Sequence, residues 1–80
     1  MNKKTILERF GGGEAIIFAQ GFDNAIIGID CNGIVAYDIS KMVNILVVRD
    51  KMTEEEALEY LEFNTFGSYI GENTPIYIWT

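Results

Sequence analysis

Apolar and polar positions follow three rhythms along this chain. From residue 39 the apolar residues Ile39, Met42, Val43, Leu46 and Val47 recur at helical spacing, the single stripe of an amphipathic helix. That stripe predicts a helix over 38–50, with Asp38 as its N-cap. A second helix opens at Met52-Thr53-Glu54-Glu55-Glu56-Ala57. Here Thr53 and Glu56 have the spacing of a capping box and Met52 and Ala57 that of a hydrophobic staple. Ala57, Leu58 and Leu61 form its apolar face, flanked by Tyr60 and Phe63. Residues 2–10 read as a short helix capped by Asn2 and stopped by Gly11-Gly12-Gly13.

The second rhythm is that of strands. Residues 14–20, EAIIFAQ, are rich in strand formers, and GFDN at 21–24 is a turn. AIIGIDCNGIVAYD then reads as strand, turn, strand. Asn32-Gly33 suits a type I′ turn, in which both central residues take positive φ. That turn sets Cys31 opposite Ile34, Ile29 opposite Ala36 and Ile27 opposite Asp38, with Asp30 facing Val35 and Gly28 facing Tyr37. The third rhythm closes the chain: in PIYIWT, Ile76 and Ile78 point one way and Tyr77 and Trp79 the other. The expected fold is α+β over one domain, residues 1–80. It has a three- or four-stranded antiparallel sheet, two helices packed on one face and a short N-terminal helix. If the helices cover Ile27, Ile29 and Ile34, the far face carries Ile26, Val35, Tyr37, Tyr77 and Trp79. Either the N-terminal helix folds over that face, or a second subunit or partner meets it.

Between the second helix and the last strand lies the densest special-backbone chemistry, YLEFNTFGSYIGENTPIYIW. Asn64, three residues after Leu61, is expected to point inward and tie the helix end to the following loop. Gly67 suits a left-handed position after the helix. Gly71 suits a second bend, and Pro75 suits the start of the last strand, where a missing N–H does least harm. These four are read as structural, with ligand contact by the Asn64 amide as the alternative.

Composition alters this picture in two ways. An 80-residue chain that is 49% hydrophobic has little interior for so many apolar side chains, which favours self-association. The net charge of −6 is uneven, because residues 52–80 hold six glutamates and no lysine or arginine. That balance disfavours direct contact with nucleic-acid phosphates and permits a partner with a basic surface. One cysteine, Cys31, allows no internal disulfide and suits a reducing compartment. The N-terminus lacks the apolar run of a secretory signal, and no stretch is apolar for long enough to span a bilayer.

Catalytic constellations are hard to assemble. The chain has no histidine, the commonest general base near neutral pH. Cys31 has no activating partner and reads as a strand-end hydrophobe. Asp23, Asp30 and Asp38 read as turn and cap residues rather than metal ligands, because the alternating oxygens of a calcium loop are missing. No cofactor, metal or enzymatic activity is expected. Glu55, Glu59 and Glu62 form a carboxylate stripe on the second helix, either a solvated face or a surface for a basic partner. With Tyr37, Tyr77 and Trp79 they make up the candidate partner-binding residues.

The run from AIIGID through IVAYDISKM to MTEEEALEYLEFNTFGSYIGENTPIYI resembles a family of short tailed-bacteriophage and prophage proteins. Those proteins end in an N-x-x-G-x-Y-x-G-x-x-T-P pattern, here Asn64, Gly67, Tyr69, Gly71, Thr74 and Pro75. The resemblance covers about three quarters of the chain, from Gly21 to Trp79; the triple glycine and Cys31 are not part of it. It implies an accessory protein acting in the host cytoplasm by binding, and inhibiting or redirecting, a host protein, in takeover of the host or in defeat of its defences. The alternative is an oligomeric binder that sequesters a nucleotide-type signal. That binder's pocket would need cations drawn from Lys3, Lys4, Arg9, Lys41, Arg49 and Lys51.

Overall fold

A computed structural model describes residues 2–10, 16–67 and 71–80. The element order is α1 (Lys3–Arg9), a 3₁₀ turn (Asp23–Ala25), β1 (Ile26–Ile29), β2 (Val35–Asp38), α2 (Ile39–Arg49), α3 (Glu54–Leu61), a π-helical turn (Glu62–Phe66) and β3 (Ile76–Ile78). The class is α+β, with three helices and a three-stranded sheet. The strand order is β1-β2-β3; β1 pairs antiparallel with β2, and β3 joins β2 in parallel. The sheet is therefore mixed, not wholly antiparallel. The chain leaves β2 straight into α2 and returns to the β2 edge only after α3, so β3 runs in the direction of β2. Residues 16–19 form no strand, and the triple glycine lies outside the described residues.

Local chemistry accounts for the helices. The Asn2 side-chain oxygen accepts from the Thr5 N–H at 2.9 Å. Asp38 ends β2 and also caps α2, its carboxylate accepting from the Ser40 and Lys41 N–H groups at 2.9 and 3.4 Å. Thr53 and Glu56 exchange both bonds of the capping box, at 2.9 and 3.1 Å. Between α2 and α3, Lys51 takes a left-handed φ of 57°, and the Leu46 carbonyl accepts from both the Asp50 and Met52 N–H groups.

The hairpin departs from the expected register. Ile29 pairs with Val35, Gly28 with Ala36 and, past a bulge, Ile26 with Tyr37. The cause is Asp30. Its carboxylate accepts from the Asn32 and Ile34 N–H groups at 2.8 and 2.9 Å, and its carbonyl accepts from the Gly33 N–H at 3.1 Å. The loop is thereby one residue longer, Cys31-Asn32-Gly33, and only Gly33 takes positive φ, 84°. A turn followed by a left-handed glycine is the usual three-residue hairpin solution. Cys31 becomes an exposed loop residue and not a strand-end hydrophobe.

A single core cluster unites Ile26, Val35 and Tyr37 of the sheet with Ile39, Met42, Val43 and Leu46 of α2 and Ala57 and Leu61 of α3. Ile6 of α1 joins the same cluster, so α1 does not serve as a separate lid on the opposite face. The helix-covered face is the one carrying Val35 and Tyr37, opposite to expectation. Pleat alternation and the pairing of Ala36 with Ile76 and of Asp38 with Ile78 then put Ala36, Ile76 and Ile78 on the other face.

Candidate binding surfaces

Of the expected partner-binding residues, Tyr37 is withdrawn. It is fully buried, and its phenol oxygen accepts from the Ala19 N–H at 2.7 Å. Burial pushes its pKa up to about 12; the Ala19 hydrogen bond opposes this, and Asp23 and Tyr77 add smaller upward contributions. Tyr77 is half-buried, its ring centroid 5.8 Å from that of Tyr37 and 5.0 Å from that of Phe66, and burial raises its pKa too. Both tyrosines belong to the core side of the sheet. Trp79 is 61% exposed and lies at a groove of about 280 Å³ between α2 and α3, beside Val43, Val47 and Leu58.

The surface that the described residues leave open is the opposite sheet face. Ile76 is 44% and Ile78 39% exposed there, and Ile27, in the β1 bulge, is 44% exposed. Both β1 and β3 are edge strands. No charged side chain other than Asp38 falls at these paired positions, and its carboxylate is buried in capping α2.

The second surface is the outer side of α3 and of the π-helical turn that continues it. Glu55, Glu59 and Glu62 are all exposed. Among them stand Phe63, 81% exposed, and Tyr60. A shallow depression there is lined by Met52, Glu56, Glu59, Tyr60 and Phe63.

Asn64 does not point into the core. It is exposed, and its amide Nδ2 donates to the Tyr60 carbonyl at 3.1 Å. The π-helical turn explains the change. A π turn takes one more residue than an α turn, so the inward position after Ala57 and Leu61 falls five residues later, on Phe66. Phe66 duly packs against the core and Tyr77. Gly67 is not left-handed, since its φ is −84°. Gly71 has φ 122°, and its carbonyl accepts from the Thr74 N–H and hydroxyl. Pro75 is buried immediately before β3. Tyr69 of the terminal pattern lies outside the described residues.

Two groups were not legible beforehand. Arg49 clasps the α2 end to the GFDN turn. Its guanidinium donates to the Gly21 carbonyl at 2.9 Å, pairs with Asp50 at 3.0 Å and lies 5.7 Å from the Phe22 ring centroid. The Arg49 hydrogen bond holds the Asp50 carboxyl below its usual range. The other is a cleft of about 280 Å³ where residues 18–22 meet the end of α3. The i, i+4 pair Phe18 and Phe22 was its one sequence signal.

Among the described residues no helix is long and apolar enough to cross a membrane. No three acidic or cysteine side chains among them gather in a metal-like cluster. Compared with family models, with curated proteins and with solved structures, the chain finds no match in any of the three.

Proposed function

We propose that the chain is a non-catalytic protein-binding module whose target carries a basic surface. The observation that carries this reading is the outer surface of α3 and the π-helical turn that continues it, where Tyr60 and an almost fully exposed phenylalanine, Phe63, stand within a row of carboxylates. Solvent-exposed aromatics of this kind anchor interfaces, and the surrounding charge governs encounter and specificity. In the setting that the phage resemblance implies, the target is a host protein met in the host cytoplasm, and binding inhibits it.

The open sheet face suits a different contact, with a second copy of the chain. Two copies of an acidic protein meet most readily where no carboxylates oppose, and Ala36, Ile76 and Ile78 supply such a surface; the α3 stripe would repel its twin. The dimer face thus moves from Tyr77 and Trp79 to the isoleucines. A nucleotide held through its phosphates has weaker support, because Arg49 is already engaged by Asp50 and the Gly21 carbonyl.

The test is affinity capture from bacterial lysate followed by binding with the purified target. Phe63→Ala is expected to weaken binding about tenfold or more, as interface anchors do. Reversing Glu55, Glu59 and Glu62 is expected to slow association, most visibly at low salt, since exposed charges are screened over about 10 Å at 0.1 M. Affinity and association rate unchanged in both variants would remove α3 from the interface.

A further inference from the structure

The cleft between residues 18–22 and the α3 end shares only Tyr60 with the contacts above. We propose that it binds one planar, uncharged heteroaromatic ring, in the chemical class of a nucleobase carried by a nucleoside. Phe18, Phe22, Tyr60 and Tyr77 line it; Phe22 is buried and Tyr77 packs against Tyr37 and Phe66, so Phe18 and Tyr60 offer the accessible ring surface. At the α3 end of the cleft the Asn64 amide donates to the Tyr60 backbone carbonyl. Stacking on such rings is the general way proteins hold a base, because every base has a π face.

The polar lining supplies the edge contacts. The Gln20 carboxamide and the Thr65 hydroxyl both line the cleft. Neither side chain has a hydrogen-bond partner among the described residues. Each can both donate and accept, as a ring edge with mixed donors and acceptors requires. Size selects one ring system: about 280 Å³ is just under the roughly 300–1,000 Å³ typical of small-molecule sites.

Charge selects a neutral guest. Lys3 Nζ lies 5.1 Å from the Phe18 ring centroid and Arg49 Cζ 5.7 Å from that of Phe22, yet neither cation lines the cleft. A cation over an aromatic ring draws on its π density, which makes that ring a poorer host for a second cation. Phosphate groups would find no lysine or arginine among the described residues lining the cleft, so an anionic guest gains no charge pairing there.

The experiment titrates the full chain with adenosine, guanosine, cytidine and uridine, with their monophosphates, with a short single-stranded oligonucleotide and with N-acetyltyrosinamide. Binding is read by amide NMR shifts. Saturable shifts centred on Gln20, Tyr60 and Thr65 are expected with at least one nucleoside, and its monophosphate is expected to bind no tighter. Tyr60→Ala, a surface change checked for fold by circular dichroism, should weaken binding about tenfold. Gln20→Ala should alter the preference among the four bases. An oligonucleotide that binds no tighter than the nucleoside identifies the free ligand as the source; a tighter one identifies the strand. Absence of saturation at millimolar nucleoside, wild-type affinity in Tyr60→Ala, or tighter binding of N-acetyltyrosinamide than of every nucleoside would overturn the proposal.

Discussion

At the scale of single residues, Tyr37 links the outer segment to the core. Its ring fills the cluster while its oxygen satisfies the Ala19 N–H, a group that would otherwise lack a partner in a half-buried stretch. Burial raises its pKa to about 12 from 10.0. The folded chain therefore keeps the phenol proton at pH values where the unfolded chain has begun to lose it. The stability contributed by this group is complete below about pH 10 and declines as pH rises through 12, by roughly 2–3 kcal/mol in all. Tyr37→Phe is expected to cost about 1–2 kcal/mol at neutral pH through the lost acceptor and to flatten the alkaline decline. Chemical denaturation at pH 8 and pH 11.5 measures both effects, and an equally steep decline in the variant would remove Tyr37 as its source. Asp30 shows how one side chain can redirect a fold reading. Asn32-Gly33 carried the turn signal, but the Asp30 carboxylate binds two N–H groups ahead of it and lengthens the loop. The longer loop still leaves Ile26, Val35 and Tyr37 on one shared face; what differs from expectation is that the helices cover this face and not the one with Ile27 and Ile34.

At the scale of elements, the helices were legible and the junctions were not. The α2 stripe, the Asp38 cap and the Thr53–Glu56 box are local chemistry, and local chemistry can be read from spacing. The π-helical turn cannot, because its extra residue answers to tertiary contact, the seating of Phe66 against Tyr77. That seating gives an opposed pair of expectations. Phe66→Ala should destabilise by about 2–4 kcal/mol, the loss of a large, partly buried aromatic. Asn64→Ala, at an exposed position, should cost under about 1 kcal/mol. Thermal unfolding of the two variants decides it, and the reverse order would restore Asn64 as the structural anchor. The parallel placement of β3 was likewise outside the reach of its short pattern, since alternation in PIYIWT is the same in either direction. The aromatic cleft draws on three separated segments, so only Phe18 and Phe22 hinted at it.

At the scale of the whole molecule, the described residues fill one sheet face and leave the other open. An 80-residue chain has too little mass to cover both faces of its sheet, and Ile27, Ile76 and Ile78 remain exposed. Sedimentation at micromolar concentration is expected to show a dimer, and Ile76→Glu with Ile78→Glu should yield a folded monomer. A wild-type monomer throughout that range would sink the isologous contact. The mixed sheet also imposes a timetable on assembly. The β1–β2 hairpin closes a short loop, whereas β3 must reach β2 across the whole of α2 and α3. By loop-closure entropy that return costs about 2 kcal/mol more, roughly three doublings of length. Long-range pairing of this kind is the slow step in small domains. The chain's one tryptophan, Trp79, directly follows β3 and so serves as a built-in clock for its arrival. In stopped-flow refolding, tryptophan fluorescence should lag behind the far-ultraviolet helical signal. A coincident rise would mean that the last strand docks with the first collapse.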